Sequence, residues 1–208
     1  MKKFLNKKGG LALVRQLAEK GFTLIELLIV IAVLGVLATA VLSAINPIEQ
    51  INRGRDTGSR SDSEQLLSAI DRYYTSLEMY PWQTSADDLE DTDDVAWQIV
   101  DNTWVDSAAG VVLTKLSTGG TAELKQSFIT RISGLADLYK LRVHMRGDPG
   151  DSVYVCFQAR SGSFKTEALN RCNGGAGGTC DDLPADLSDY ANCAAVICSA
   201  TEPFICLP

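Results

Sequence analysis

One uninterrupted apolar segment constrains this chain more than any other feature. Residues 22–45 contain a single charged residue, Glu26. As a helix rising about 1.5 Å per residue, this segment is about 36 Å long, enough to cross a hydrocarbon core of about 30 Å. We therefore expect a membrane-spanning helix with a carboxylate, a costly group at that depth, close to one end.

The basic residues predict the orientation of this helix. Six Lys or Arg residues lie in residues 1–21, whereas three follow the apolar segment within a similar distance. The N-terminus should therefore stay in the cytoplasm while the rest of the chain crosses the membrane. A single-pass anchor and a secretory signal peptide both fit so far, and Ala38-Thr39-Ala40 resembles a signal-peptide cleavage site. Neither interpretation explains Glu26.

The remainder of the chain is acidic and long enough to form a packed head. The formal charge is -7 for 208 residues, and the first 21 residues carry +5, so the other 187 carry -12. Affinity for nucleic acids rests on Lys and Arg that neutralise phosphates. We therefore expect no general nucleic-acid binding.

All of the cysteines lie in the last 53 residues of the chain. They are Cys156, Cys172, Cys180, Cys193, Cys198 and Cys206. An even number beyond a membrane-crossing segment favours disulfides in an oxidising compartment. Zinc ligation and free thiols are the alternatives, although the sequence has no C-x-x-C pair and its one histidine lies elsewhere. Fifteen pairings are possible, and the sequence does not choose among them.

Hydrophobic periodicity predicts an α+β head. After the membrane segment, residues 52–65 read as a weak helix whose charges form a solvated face, and residues 66–77 carry an apolar stripe at helical spacing. Residues 139–146 and 152–160 alternate between apolar and polar side chains. We expect them to form a hairpin around a type II turn at 147–151, with one apolar face that the helical stripe covers.

Weaker patterns predict further elements. They are a short acidic helix within 85–100, a strand at 110–116, a helix from Thr121 to Ser133 and an edge strand at 164–169. Beyond residue 170 the chain is rich in Gly and Cys. We expect loops there that depend on cross-links and form no second core.

No set of residues predicts catalysis. His144 is the only histidine, and it falls on the polar face of a strand with Arg142 and Arg146, which predicts an exposed structural role. The glycine-rich runs match no phosphate-binding motif. The acidic residues of 87–94 and 181–189 lack the spacing of a calcium loop and read as solvated. We therefore expect no enzyme, no cofactor and no bound metal.

The start of the apolar segment identifies a family. Gly21-Phe22-Thr23-Leu24-Ile25-Glu26, followed by LLIVIAVLGVLATAVL, resembles the N-terminal signature of type IV pilins and type II secretion pseudopilins. The resemblance implies a leader at 1–21 and a long helix at 22–79, which is transmembrane at 22–45. It also implies a head at 80–208, which contains a small antiparallel sheet and a Cys-rich tail at 156–208. The outer half of the long helix would pack on this sheet.

The resemblance also implies roles for individual residues. A membrane prepilin peptidase would cut after Gly21, and Phe22 would become the N-terminus, usually methylated. Glu26 would pair with this terminal amine, commonly that of a neighbouring subunit. An ammonium and a carboxylate, each costly alone in a dry environment, compensate each other there. Glu26 is thus expected to set the register of polymerisation.

The implied function is that of a structural subunit in an extracellular type IV pilus-like filament. Its partners would be copies of itself or related pilins, the prepilin peptidase, and the inner membrane before assembly. A pseudopilin of a type II secretion or DNA-uptake machine is the first alternative. A membrane-anchored or secreted binding protein that does not polymerise is the second.

The position of the processing site distinguishes a pilin from a protein with an ordinary signal peptide. We expect N-terminal sequencing and intact-mass measurement of the mature chain to give Phe22 as its first residue, because the motif precedes the apolar segment. A mature chain that starts near residue 41 would instead indicate an ordinary signal peptide and contradict the pilin reading.

Overall fold

The computed structural model describes residues 21–83, 95–106, 110–118, 122–147, 150–175 and 177–208. They fall into two compact units, which divide between Asn46 and Pro47. Helix α1 (Leu24–Ala44) belongs to the first unit. The elements of the second unit, in chain order, are α2 (Pro47–Leu77), β1 (Val95–Ile99), β2 (Val105–Asp106), β3 (Gly110–Val111), α3 (Val112–Lys115), α4 (Gln126–Ser133), a 3-10 turn (Asp137–Tyr139), β4 (Arg142–Met145), β5 (Tyr154–Gln158), α5 (Gly162–Leu169), α6 (Ala185–Ser188), α7 (Cys193–Val196) and β6 (Phe204–Leu207).

Helix α1 is apolar around its whole circumference. Every side chain from residue 24 to residue 43 is exposed, and the segment Leu24–Ser43 has the length and composition to cross a membrane. A helix that is hydrophobic on all sides is stable only inside a larger apolar environment. Lipid or other protein must therefore supply that environment.

Helix α2 carries the apolar stripe that covers the sheet. Leu66 and Ile70 are fully buried and Tyr73 is nearly so, whereas Leu77 is half exposed. Pro47 suits the first turn, where its missing N–H leaves no bond unmade. At the other end Glu78 has a positive φ of 55°, and its N–H donates to the Tyr74 carbonyl at 2.7 Å, which ends the helix in a left-handed residue.

The polar half of α2 is helical and partly buried, so the expectation that its charges form a solvated face is wrong. Asp56 is fully buried, and its carboxylate accepts hydrogen bonds from the Ser161 N–H and the Ser161 hydroxyl, both at 2.7 Å. The Arg160 N–H adds further bonds at 3.1 Å. Asp62 is also buried and accepts from the Arg131 guanidinium at 2.8 Å. These partners are remote in sequence, so the local pattern does not reveal them.

Residues 162–169 form helix α5, and the expected edge strand is wrong. Ser161 caps the helix by accepting a hydrogen bond from the Phe164 N–H. Besides Asp56, the Glu49 carboxylate also reaches this end of the helix and accepts from the Gly162 N–H at 3.0 Å. Two carboxylates at a helix N-terminus satisfy its unpaired N–H groups and its dipole. This favours a helix over a strand.

The sheet is antiparallel in the order β1-β4-β5-β6, and the predicted α+β class is confirmed. The predicted hairpin is β4 paired with β5, in a register that sets Val143 opposite Val155. Its strands are shorter than expected, since Tyr139 lies in the 3-10 turn. Asp148 and Pro149 of the expected turn lie outside the described residues. Strand β6 was not predicted, and it sets Cys206 opposite Cys156.

Both faces of the sheet are covered, so the expectations of one apolar face and of no second core are wrong. Val143, Val155 and Phe157 point into the main core with the stripe of α2. The alternate residues Tyr154 and Cys156 point to the opposite face. There they meet a second cluster, formed by the remaining cysteines with Leu187, Ile197 and Phe204.

Three of the weaker predictions also need correction. Residues 95–99 form β1, and the rest of the expected acidic helix lies outside the described residues apart from its last residue, Val100. In 110–116 only two residues are extended before α3 begins. Helix α4 begins at Gln126, and Thr121 lies outside the described residues. Phe128 and Ile132 of this helix are buried in the core.

The buried carboxylate of Asp56 generates a stability prediction. We expect Asp56→Ala to lower the free energy of unfolding of the head by about 2–3 kcal/mol, because it leaves buried donors of Arg160 and Ser161 without an acceptor. Urea unfolding followed by tryptophan fluorescence measures this, since Trp82, Trp97 and Trp104 all lie in the second unit.

Glu64→Ala is the matched control, because it removes an exposed carboxylate from the same helix. We expect it to change the free energy of unfolding by less than about 0.5 kcal/mol. Equal effects of the two substitutions would contradict the role given to Asp56.

Candidate functional site

The first turn of α1 holds Glu26 in a capping box. The Glu26 carboxylate accepts hydrogen bonds from the Thr23 N–H at 2.8 Å and from the Thr23 hydroxyl at 2.7 Å. In return the Thr23 hydroxyl oxygen accepts from the Glu26 N–H at 3.2 Å. This reciprocal arrangement satisfies donors at the start of a helix and fixes where the helix begins.

The capping role of Glu26 was missed at the sequence level, although the signal was present. Thr23 and Glu26 have the spacing of a T-x-x-E box directly before an apolar run. Both bonds end on the same oxygen, Oε2. No donor to Oε1 occurs among the residues that the structure describes, so this oxygen is available to a further hydrogen-bond donor.

Gly21 and Phe22 lie immediately ahead of this box, outside the helix, and both are exposed. The Phe22 residue is 90% exposed, and a Cβ placed on Gly21 would meet no atom within 4 Å. A protease could therefore reach the bond between them without displacing described structure. The arrangement combines an accessible peptide bond between Gly21 and Phe22, a carboxylate four residues after Phe22 and an exposed apolar helix surface.

The six cysteines form three disulfides in the structure. Cys156 is bonded to Cys206, Cys172 to Cys198, and Cys180 to Cys193. The first links neighbouring strands β5 and β6, and the others tie the tail layer to itself. The sequence separations are 50, 26 and 13 residues. Bridges over such loops stabilise by about 3–4 kcal/mol each.

His144 is buried, and the expected exposed role is wrong. Its side chain belongs to a residue only 4% exposed, because the tail covers the sheet face that was expected to be open. The imidazole lies against the Tyr190 ring, with 5.3 Å between ring centroids. Its Nε2 is 3.3 Å from the Asp186 carbonyl oxygen.

Two acidic residues of the tail, Asp186 and Asp189, act as partners within the protein. The Asp186 carboxylate accepts from the Tyr154 hydroxyl at 2.8 Å and from the Ser152 N–H at 2.9 Å. Asp189 pairs with Arg146 at 2.6 Å. No group of three His, Cys, Asp or Glu residues in the described part of the chain could hold a metal ion. The acidic run at 87–94 lies outside that part.

Comparison with known proteins identifies the N-terminal region. Residues 17–42 match the family model described as the prokaryotic N-terminal methylation motif. A type IV major pilin protein of Neisseria gonorrhoeae is 32% identical over 141 residues, which are 67% of this chain and 58% of that protein. A fimbrial protein of Eikenella corrodens is 29% identical over 121 residues, 57% of this chain and 76% of that protein.

The chain therefore spans less than two thirds of the length of the Neisseria relative. No solved structure matches the chain significantly.

The Tyr154–Asp186 contact generates a pH prediction. Burial, together with the hydrogen bond to Asp186, raises the pKa of Tyr154 from 10.0 to about 12. A raised pKa means that the folded state retains a proton that the unfolded state releases. The contribution of Tyr154 to the free energy of unfolding should therefore be fully present below pH 10. It should be lost as the pH rises from 10 to about 12.

We expect Tyr154→Phe to remove that part of the alkaline loss, as measured by thermal unfolding across the same pH range. Tyr74→Phe alters an exposed tyrosine and serves as the control, which should keep the wild-type profile. A Tyr154→Phe profile that matches wild type would contradict the assignment.

Proposed function

Because this chain belongs to the type IV pilin family, we propose that it is a structural subunit of an extracellular pilus-like filament. The observation that carries the proposal is an apolar helix exposed along its length, which begins with the Thr23–Glu26 capping box directly after Gly21-Phe22. Such a helix needs lipid before assembly and neighbouring subunits after it. The role is structural, without catalysis.

We infer the following order of events. The precursor is inserted with its N-terminus in the cytoplasm, and the prepilin peptidase cuts between Gly21 and Phe22. The cut creates an ammonium group on Phe22, four residues before Glu26. The helix then moves from the membrane into a bundle of α1 helices, with the head outside the cell.

In this scheme Glu26 has two separable tasks. Its Oε2 keeps the capping box with Thr23, and its Oε1 accepts from the amine of Phe22 of a neighbouring subunit. The pair neutralises two charges that would each be costly in an apolar bundle. A subunit that docks out of register leaves both charges unpaired, so the pair selects one stagger.

Two substitutions separate the tasks. Glu26→Gln keeps a capping box, since Gln also serves at this position, but it removes the charge. Thr23→Ala removes the cap and keeps the charge, at a cost of about 1 kcal/mol to the helix. We expect Glu26→Gln to be inserted and cut normally yet to form few or no surface filaments, because losing one partner of a buried ion pair costs about 3–5 kcal/mol.

The measurement is the number of surface filaments, counted by electron microscopy, against the amount of processed subunit retained in the membrane. Thr23→Ala should assemble nearly as well as wild type. Normal filament numbers for Glu26→Gln would contradict the ion-pair role. If neither the variants nor the wild type form filaments, and the subunit is found in a secretion complex, the pseudopilin alternative is favoured.

A further inference from the structure

A glycine-rich loop of the tail is closed at its base by buried cysteines. Cys172 and Cys180 lie at its two ends, and each belongs to a different disulfide. Directly inside these ends Asn173 pairs with Thr179. The Asn173 N–H donates to the Thr179 carbonyl at 3.0 Å, and the Thr179 N–H donates to the Asn173 carbonyl at 2.9 Å. The conformation of the loop therefore depends on two backbone hydrogen bonds as well as on covalent bonds.

Asn173 and Gly174 form the centre of a turn at the protein surface. Both residues are exposed. Gly174 has a φ of 85°, and the Gly175 N–H donates to the Cys172 carbonyl at 3.1 Å. A type II turn has this hydrogen bond and a positive φ at its third residue, where glycine is favoured. The turn accounts for Gly174 but makes no use of the Asn173 side chain.

Two groups at this turn can react with each other. The Asn173 carboxamide makes no hydrogen bond to the described residues, and the Gly174 N–H has no acceptor among them. The backbone nitrogen that follows an asparagine can attack the side-chain carbon Cγ and close a five-membered imide ring. A Cβ on the attacking residue hinders this step, and glycine has none. Asn173 is the only asparagine in the sequence that a glycine follows.

The bonds that restrain this peptide unit are accessible to water. Asn173 and Thr179 are both exposed, so the two hydrogen bonds between them lie at the surface. Exposed backbone hydrogen bonds open locally at a low cost in free energy. Once they open, rotation about the Cα–C bond of Asn173 can bring the Gly174 nitrogen to Cγ.

We propose that Asn173-Gly174 is a self-modification site, at which asparagine and water give aspartate or isoaspartate and ammonia. The Gly174 nitrogen loses its proton and bonds to Asn173 Cγ. The Cγ–Nδ2 bond breaks, and the NH₂ group leaves with a proton as ammonia. Water then adds its hydroxyl to one of the two imide carbonyl carbons, and the ring nitrogen regains a hydrogen. Either product carries a new carboxylate.

The two products differ in their effect on the loop. Isoaspartate carries the main chain through Cγ, so it lengthens the backbone by one atom and turns the original carbonyl into a free carboxylate. That carbonyl packs closely on Gly178, where a Cβ would lie 2.0 Å from the Asn173 oxygen. We therefore expect isoaspartate to break the pairing with Thr179. Aspartate keeps the ordinary backbone and should preserve the pairing.

The site lies in the tail and involves no residue of α1. It is therefore independent of the filament role, and either proposal can fail without the other.

Mass spectrometry of the full, oxidised chain in detergent tests the proposal. The protein is incubated in mildly acidic or mildly alkaline buffer, acidified, reduced, alkylated and digested with trypsin at mildly acidic pH. Residues 172–208 follow Arg171 and contain no Lys or Arg, so Asn173 and Asn192 lie in one peptide. Asn192 is also exposed but precedes a cysteine, and it serves as the internal comparison. Electron-transfer fragmentation distinguishes isoaspartate from aspartate, because their backbones differ.

We expect Asn173 to convert at least tenfold faster than Asn192, which corresponds to an activation barrier lower by about 1.4 kcal/mol. Isoaspartate should be present, and alkaline buffer should speed the conversion because the Gly174 nitrogen must lose its proton. Asn173→Gln should suppress the reaction, since a six-membered ring closes more slowly. Asn192→Gln is the matched control and should leave conversion at Asn173 unchanged.

Hydrogen exchange tests the effect on the loop. The Thr179 N–H should exchange faster in the isoaspartate product than in Asn173→Asp, which adds the same charge without lengthening the backbone. Equal exchange in the two would contradict the opening of the loop.

Three results would overturn the modification site itself. They are no conversion at Asn173 beyond that of an unincubated sample, equal rates at Asn173 and Asn192, and aspartate formed without isoaspartate.

Discussion

Thirteen Val, Leu and Ile side chains between Leu24 and Ser43 lie exposed on the surface of α1. Burial of each is worth about 1.5–3 kcal/mol, on the order of 20 kcal/mol or more together. That exceeds the net stability of an ordinary domain, about 5–15 kcal/mol. The helix therefore cannot remain in water. The capping box serves the same helix, since it satisfies N–H groups at the N-terminus that have no partner within the helix.

The second unit, unlike α1, buries its own apolar surface. Its sheet is covered on one face by α2 and on the other by a disulfide-linked layer. Carboxylates of α2 bind the N-terminus of α5. Helix α2 therefore contacts the rest of the second unit through Asp56 as well as through its apolar stripe. The second layer buries His144 and creates a cavity of about 440 Å³ beside it. The cysteines therefore shape a surface as well as adding stability.

Sequence reasoning succeeded where the information is local. The apolar segment, the stripe from Leu66 to Tyr73 and the β4–β5 hairpin each follow from short-range periodicity. It failed where partners are distant: Ser161 lies 105 residues from Asp56, and the residues that bury His144 come from the tail. Two failures were avoidable, because the T-x-x-E box and the apolar run Phe204–Leu207 are local signals.

Cryo-electron microscopy of filaments sheared from cells that express this chain tests the central claim most directly. The claim predicts a core of packed α1 helices, with the Leu24–Ser43 surface covered by neighbouring subunits. It also predicts the Glu26 carboxylate within hydrogen-bond distance of a neighbour's Phe22 amine. Filaments that lack this chain, or an α1 surface that neighbouring subunits leave uncovered, would contradict it.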